Sequence, residues 1–249
     1  MKTESALVCE GLTKSFGGIS VVDSVNFTIP SGKVVGLIGE NGAGKSTWSS
    51  MVAGIHRPNS GRMLLDGVEY APESPADALN NGVALIQQEI RMALNLSVAE
   101  NIFLGRLPLR GGRVNRDEMN ERSAEALKML GVSIDPRQTV RGLSTAVQQT
   151  IEIAKAILRE PRYVIFDEPS ASLTATETDR VLHQISVLKD SGAGVVFISH
   201  RLDEIRQISN KIVCMRDGKV VKEWETGAVP NEELVQAMVG RDFTLAHKK

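Results

Sequence analysis

No run of apolar residues in this chain approaches the ~18–20 needed to span a bilayer. The opening residues, Met1-Lys2-Thr3-Glu4-Ser5, are polar and acidic, and no signal-peptide core follows them. Cysteine is scarce. Cys9 and Cys214 are the only two, far apart and each inside an apolar strand-like run, so buried reduced thiols are expected rather than a disulfide or a metal site. Net charge is slight, −1 from 29 basic and 30 acidic residues, which gives no global drive toward nucleic acid or an anionic membrane and leaves room only for a local basic patch. Internal repeats and low-complexity linkers are also missing. These absences lead us to expect a cytosolic chain without a nucleic-acid partner. What is present, 249 residues of which 42% are hydrophobic, suffices for the core of one large α/β domain, or of a domain carrying a small insertion.

The most informative segment is Gly39-Glu40-Asn41-Gly42-Ala43-Gly44-Lys45-Ser46-Thr47, which fits G-x-x-x-x-G-K-[ST], the phosphate-binding P-loop. Val34-Val35-Gly36-Leu37-Ile38 before it reads as a buried strand, and Trp48 to Ala53 after it continues as a helix until Gly54. That order suits the chemistry. Backbone N–H groups of the loop and of the helix start face anionic oxygens, and glycines permit a close approach that side chains would block. Lys45 would reach the β- and γ-phosphates and the Ser46 hydroxyl would ligate Mg²⁺. The loop alone does not separate kinases, GTPases, ATPases and motors.

Residues 5–35 read as β-rich, with Val25, Phe27 and Ile29 alternating with polar residues. Arg62 to Leu65, Asp66-Gly67 and Val68 to Tyr70 form a predicted hairpin. A short helix around Ala76 to Leu79, a stop at Gly82 and a strand Val83 to Ile86 follow. Residues 88–142 hold no convincing strand but several helix starts: a capping box at Ser97-Val98-Ala99-Glu100 opening a helix toward Leu104, and Asn115 capping a longer one that ends at Gly131. A helix from about Ser144 to Leu158 comes next. Alternation then returns with strand Tyr163 to Phe166, a second capping box at Thr174-Ala175-Thr176-Glu177, strand Val195 to Ser199, a hairpin through Asp217-Gly218, and a helix from about Glu232 to Val239. The expected fold is α/β: a P-loop NTPase core with a parallel sheet, an N-terminal antiparallel β subdomain and an inserted α-helical subdomain. Residues 5–87 and 159–240 form the core and antiparallel portion, 88–158 the helical subdomain, and 241–249 a frayed tail.

Other residues carry chemistry. Asp167 and Glu168 end an apolar strand, where ligands of open α/β sheets bind. Asp167 would hold Mg²⁺ through its water shell and Glu168 would act as general base or position the attacking water. His200 ends another predicted strand. It reads either as a capping residue or as a hydrogen-bond donor to the transferring oxygens. Gln88 leaves the Val83 to Ile86 strand at the corresponding exit, with Gln87 competing for that role. Phe16, in Lys14-Ser15-Phe16-Gly17-Gly18, reads equally as a platform for a purine ring or as an ordinary core or surface aromatic.

Taken in order, Phe16, the P-loop, Gln88, the helical stretch, Leu143-Ser144-Thr145-Ala146-Val147-Gln148-Gln149, Asp167-Glu168-Pro169-Ser170 and His200 resemble the nucleotide-binding domain of an ATP-binding cassette (ABC) transporter over nearly the whole chain. The segments 96–106, 148–157, 171–177 and 198–201 are further similar to the N-terminal cassette of bacterial monosaccharide importers of the ribose, galactose and xylose type. The resemblance implies ATP and Mg²⁺, with Phe16, Gly39, Asn41, Gly42, Ala43, Gly44, Lys45, Ser46, Thr47 and Gln88 around the nucleotide, and Ser46, Gln88 and Asp167 around the metal. It implies hydrolysis by Glu168 and His200 with Lys45. It also implies a second cassette closing head to tail, transmembrane permease subunits, a periplasmic sugar-binding protein, and a place on the inner face of the cell membrane. Gln88 would link the γ-phosphate to the helical subdomain, and Ser144 and Ala146 would serve the partner's nucleotide.

This chain departs from the family's usual signature, Leu-Ser-Gly-Gly-Gln, by carrying Thr145, Ala146 and Val147 in the last three places. A left-handed backbone at Ala146 would cost about 1–2 kcal/mol, and Val147 lacks the amide of Gln. Thr174 stands where many cassettes have Asp. Two other readings are a regulatory cassette that binds ATP with little hydrolysis, and a soluble ABC protein of translation or DNA repair.

Overall fold

The computed structural model describes residues 5–89 and 91–240; the tail expected to fray, 241–249, lies outside them. In chain order, β1 (Ala6–Phe16) and β2 (Ile19–Pro30) pair antiparallel, then β3 (Val34–Ile38) leads through the P-loop into α1 (Lys45–Val52). β4 (Ser60–Leu65), β5 (Val68–Glu69), α2 (Pro75–Asn80) and β6 (Val83–Ile86) follow. Next come α3 (Val98–Ile102), β7 (Leu109–Arg110), β8 (Arg113–Val114), α4 (Arg116–Met129) and α5 (Thr145–Ile157). The remainder is β9 (Tyr163–Asp167), α6 (Ala175–Asp190), β10 (Gly194–Ile198), α7 (Leu202–Ile208), β11 (Lys211–Arg216), β12 (Lys219–Glu225) and α8 (Asn231–Val239).

One sheet is antiparallel, ordered β2-β1-β4-β5, and the larger is ordered β12-β11-β3-β10-β9-β6. In the larger sheet β11, β3, β10, β9 and β6 run parallel and only β12 is antiparallel. Every residue of β3 and β10 is buried, as strands covered on both faces require. Alternate side chains feed two cores. Val195 and Phe197 point into one shared with α3, α4 and α5, while Val196 and Ile198 join Phe27, Trp48 and Leu7 between the two sheets. Trp48 is fully buried, its ring 4.4 Å from that of Phe27, so α1 is held against the antiparallel sheet.

Local signals account for many boundaries. Both capping boxes form: Ser97 with Glu100 and Thr174 with Glu177. Asp66-Gly67 and Asp217-Gly218 all have positive φ, from +50° to +81°, the geometry of two-residue hairpin turns. Cys9 and Cys214 are free and buried, and burial pushes their thiols up to about 12 and about 11.

Two elements differ from the sequence expectation. Residues 88–142 are not free of strand, because β7 and β8 form a small hairpin about Gly111 and Gly112. Its strands are two exposed residues each, too short to show alternation, and the Gly-Gly pair was the available signal. α7 stands where no helix was expected. It has seven residues and its N-cap, Arg201, makes no side-chain cap, so the usual start signal is missing.

Candidate functional site

Parallel pairing decides where the chemistry meets. Ile198 of β10 is level with Asp167 of β9 and with Leu37 of β3, and Ile86 of β6 is level with Phe166. The loops leaving these four strands therefore emerge at one sheet edge, carrying the P-loop, Gln88, Glu168 and His200. A cleft of about 400 Å³ opens there, lined by Val21, the P-loop from Asn41 to Thr47, Gln88, Asp167 and Glu168. Gln87 is absent from that lining, so the structure separates the two glutamines. Val21, contributed by β2, was not anticipated. Nothing marks it in the sequence, because only the packing of the antiparallel sheet brings it to the cleft.

The loop is shaped to accept an anion. Gly44 is the N-cap of α1 at φ +98°, with no side-chain cap on the first helical N–H groups. A Cβ there would lie 2.6 Å from the carbonyl oxygen of Val21, so both space and backbone favour glycine. Lys45 is 6% exposed, and its Nζ donates to the carbonyls of Gly39 and Glu40 at 2.8 and 3.0 Å. Burial lowers the Lys45 pKa, opposed by the neighbouring Glu168 and Asp167. Asp167 is raised, first by burial and then by Glu168, while a hydrogen bond from Ser46 and the charge of Lys45 act the other way.

The Asp167 shift has a measurable consequence. The folded protein holds this proton more tightly than the unfolded chain, whose carboxylate titrates near 3.8, so the ionised group opposes folding above the raised pKa. Asp167→Asn keeps an oxygen for Ser46 and removes the charge. Without nucleotide, its thermal midpoint near pH 7 is expected above that of wild type. That gain shrinks as pH falls through the raised pKa toward 3.8. Midpoints measured across pH check it, and a variant less stable than wild type at pH 7 would count against this reading.

Glu168 follows β9 with φ +50°, a left-handed conformation that costs a non-glycine residue about 1–2 kcal/mol. Its N–H donates to the Ile198 carbonyl at 3.0 Å. Its Oε2 lies 3.2 Å from Nδ1 of His200, whose side chain is 56% exposed. His200 thus faces the carboxylate of Glu168 and does not line the cleft itself.

Gly39 is outside the lining, where its carbonyl accepts from Lys45, and three further candidates stand elsewhere. Phe16 is half-exposed, outside the cleft lining, with its ring edge-on to His56 at 5.3 Å. Ser144 caps α5 by accepting from the Val147 N–H, and Ala146 is an ordinary residue of that helix. The left-handed cost weighed for Ala146 does not arise. Neither residue lines this cleft.

The ABC transporter family profile matches residues 22–171, more than half of the chain. The chain belongs to the ABC transporter family. It is 41% identical over 238 residues to a galactose/methyl galactoside import ATP-binding protein of Fusobacterium nucleatum, covering 96% of this chain and 48% of that protein. It is 42% identical over 244 residues to a ribose import ATP-binding protein of Streptomyces avermitilis, covering 98% and 48%. The chain therefore spans about half the length of these curated relatives. Among solved structures, a nucleotide-free ATP-binding cassette from an ABC transporter superposes with a TM-score of 0.81 at 23% identity, covering 98% of each chain. The ADP conformation of another such cassette gives 0.83 at 24%, covering 96% of this chain and all of that one. These likenesses establish the cassette fold, an α/β P-loop NTPase fold with an added antiparallel sheet.

Proposed function

We propose that this cassette binds and hydrolyses ATP to drive sugar import through an ABC transporter. The observation that carries the reading is the convergence of the P-loop, Gln88, Asp167 and Glu168 on one cleft. The P-loop N–H groups and Lys45 hold the phosphates. Glu168 accepts the proton of the attacking water as its oxygen bonds to the γ-phosphorus and the bond to the β-phosphate oxygen breaks. His200, bonded to Glu168, orients that carboxylate and stabilises the transferring oxygens. Ser46, Gln88 and Asp167 line the same cleft and form a set of oxygen donors suited to Mg²⁺. When bound, Mg²⁺ neutralises phosphate charge.

Residues 88–158 act as the helical subdomain, with Ser144 and Ala146 presented to the nucleotide of a second cassette. Among the described residues no helix is long and apolar enough to cross a membrane. In this reading the cassette attaches at the inner face of the membrane through permease subunits, supplied with sugar by a periplasmic binding protein. The names of the relatives support import of a ribose- or galactose-type sugar. Release of phosphate from ATP by the full-length protein with its permease tests the reading. Release requires Mg²⁺ and ceases with EDTA. Phosphate release unaffected by the chelator would overturn the metal assignment, and none at all would overturn the activity.

A further inference from the structure

Behind the Glu168–His200 pair lies a carboxylate that the mechanism above does not use. Glu204, in α7, is 4% exposed. Its Oε2 accepts from the hydroxyls of Ser170 at 2.6 Å and Ser199 at 2.8 Å. The Arg201 guanidinium lies 2.6 Å from its Oε1 and also reaches Thr178 of α6. Ser199 in turn accepts from the Arg201 N–H at 3.0 Å. Each of these partners is placed with respect to the chemistry. Ser170 comes two residues after Glu168, while Ser199 and Arg201 flank His200.

A buried carboxylate is costly unless paired, and a similar apolar residue would often serve packing as well. Here the two short hydroxyl bonds converge on one oxygen from two different loops, a strong and directional arrangement. The loop after β9 and the loop after β10 are thus joined three times: by Glu168 and His200 in front, by the Glu168 N–H and the Ile198 carbonyl in the backbone, and by Glu204 behind. The left-handed backbone of Glu168 needs such support to persist.

We propose that Glu204 is a positioning residue for hydrolysis. It fixes the Ser170 and Ser199 loops against one another and thereby sets the separation and orientation of Glu168 and His200. The inference rests on the ATPase reading given above for its kinetic arm, but not for its spectroscopic one.

In the full-length protein, Glu204→Ala is expected to lower the single-turnover hydrolysis rate about ten-fold or more, within the roughly 10²-fold that a 1 Å misplacement can cost. ATP affinity stays at the wild-type value, because no P-loop contact changes. Glu204→Gln retains an oxygen for both serines and recovers most of the rate. In a His200→Ala background the Glu204→Ala loss largely disappears, since both act through one arrangement. Without nucleotide, the imidazole NMR resonances of His200 shift in Glu204→Ala while those of His56 do not. Wild-type hydrolysis by Glu204→Ala, a joint loss of rate and affinity, or independent effects of Glu204 and His200 would each overturn the proposal. So would an unmoved His200 resonance, whatever the ATPase assay returns. Failure of the ATPase reading alone would show as a wild-type protein that releases no phosphate while the His200 resonance still responds.

Discussion

Glu168→Gln is expected to lower the rate of ATP hydrolysis by about 10²–10⁴-fold, the range for losing a general base, with ATP still bound. The substitution is nearly isosteric and removes only the ability to take a proton. Glu168 lines the cleft and its carboxylate is hydrogen-bonded to His200, while the P-loop N–H groups and the Lys45 ammonium are left in place to hold the phosphates. An amide at this position can still exchange a hydrogen bond with Nδ1 of His200, which keeps the loop closed. Single-turnover hydrolysis measured beside equilibrium ATP binding checks the prediction. Unchanged hydrolysis would remove Glu168 from its assigned role. Lost binding would show that the residue holds the nucleotide and not the water.

Lys45→Ala gives the opposite division, with binding lost first. The ammonium is buried at the end of the P-loop and donates to the carbonyls of Gly39 and Glu40. Facing phosphates, it exchanges these neutral acceptors for anionic ones. Two charge-assisted bonds at about 1.5–3 kcal/mol each correspond to a loss of about 10²–10⁴-fold in affinity. Titration calorimetry with ATP reads the change, and wild-type affinity in the variant would overturn the P-loop assignment. Stability without nucleotide should suffer far less. The lowered pKa of Lys45, caused mainly by burial, shows that holding this cation in place carries a desolvation cost which alanine relieves.

Much of the architecture was legible because its signals are local. Ser97 with Glu100 and Thr174 with Glu177 encode helix starts within four residues, and both form as read. Asp66-Gly67 and Asp217-Gly218 encode hairpins in two residues. Elements without a local signature escaped. α7 lacks a side-chain cap, and the β7–β8 hairpin is too short and too exposed to show a period.

The candidate site divides along the same line. Sequence alone determined that a P-loop lies between a buried strand and a helix, and that Asp167, Glu168 and His200 end apolar strands, because strand burial, glycine backbone freedom and charge placement are written in contiguous residues. Tertiary structure decided the rest. It brought Gln88 to the cleft and left Gln87 out, added Val21 from the antiparallel sheet, left Phe16 against His56 outside the lining, and turned His200 onto Glu168. It also placed Glu204 beneath two loops far apart in the chain. Such pairings depend on the register of β3, β10, β9 and β6 and on side-chain direction at their ends. Those are relations between distant segments, fixed only when the sheet is assembled and its two cores are packed.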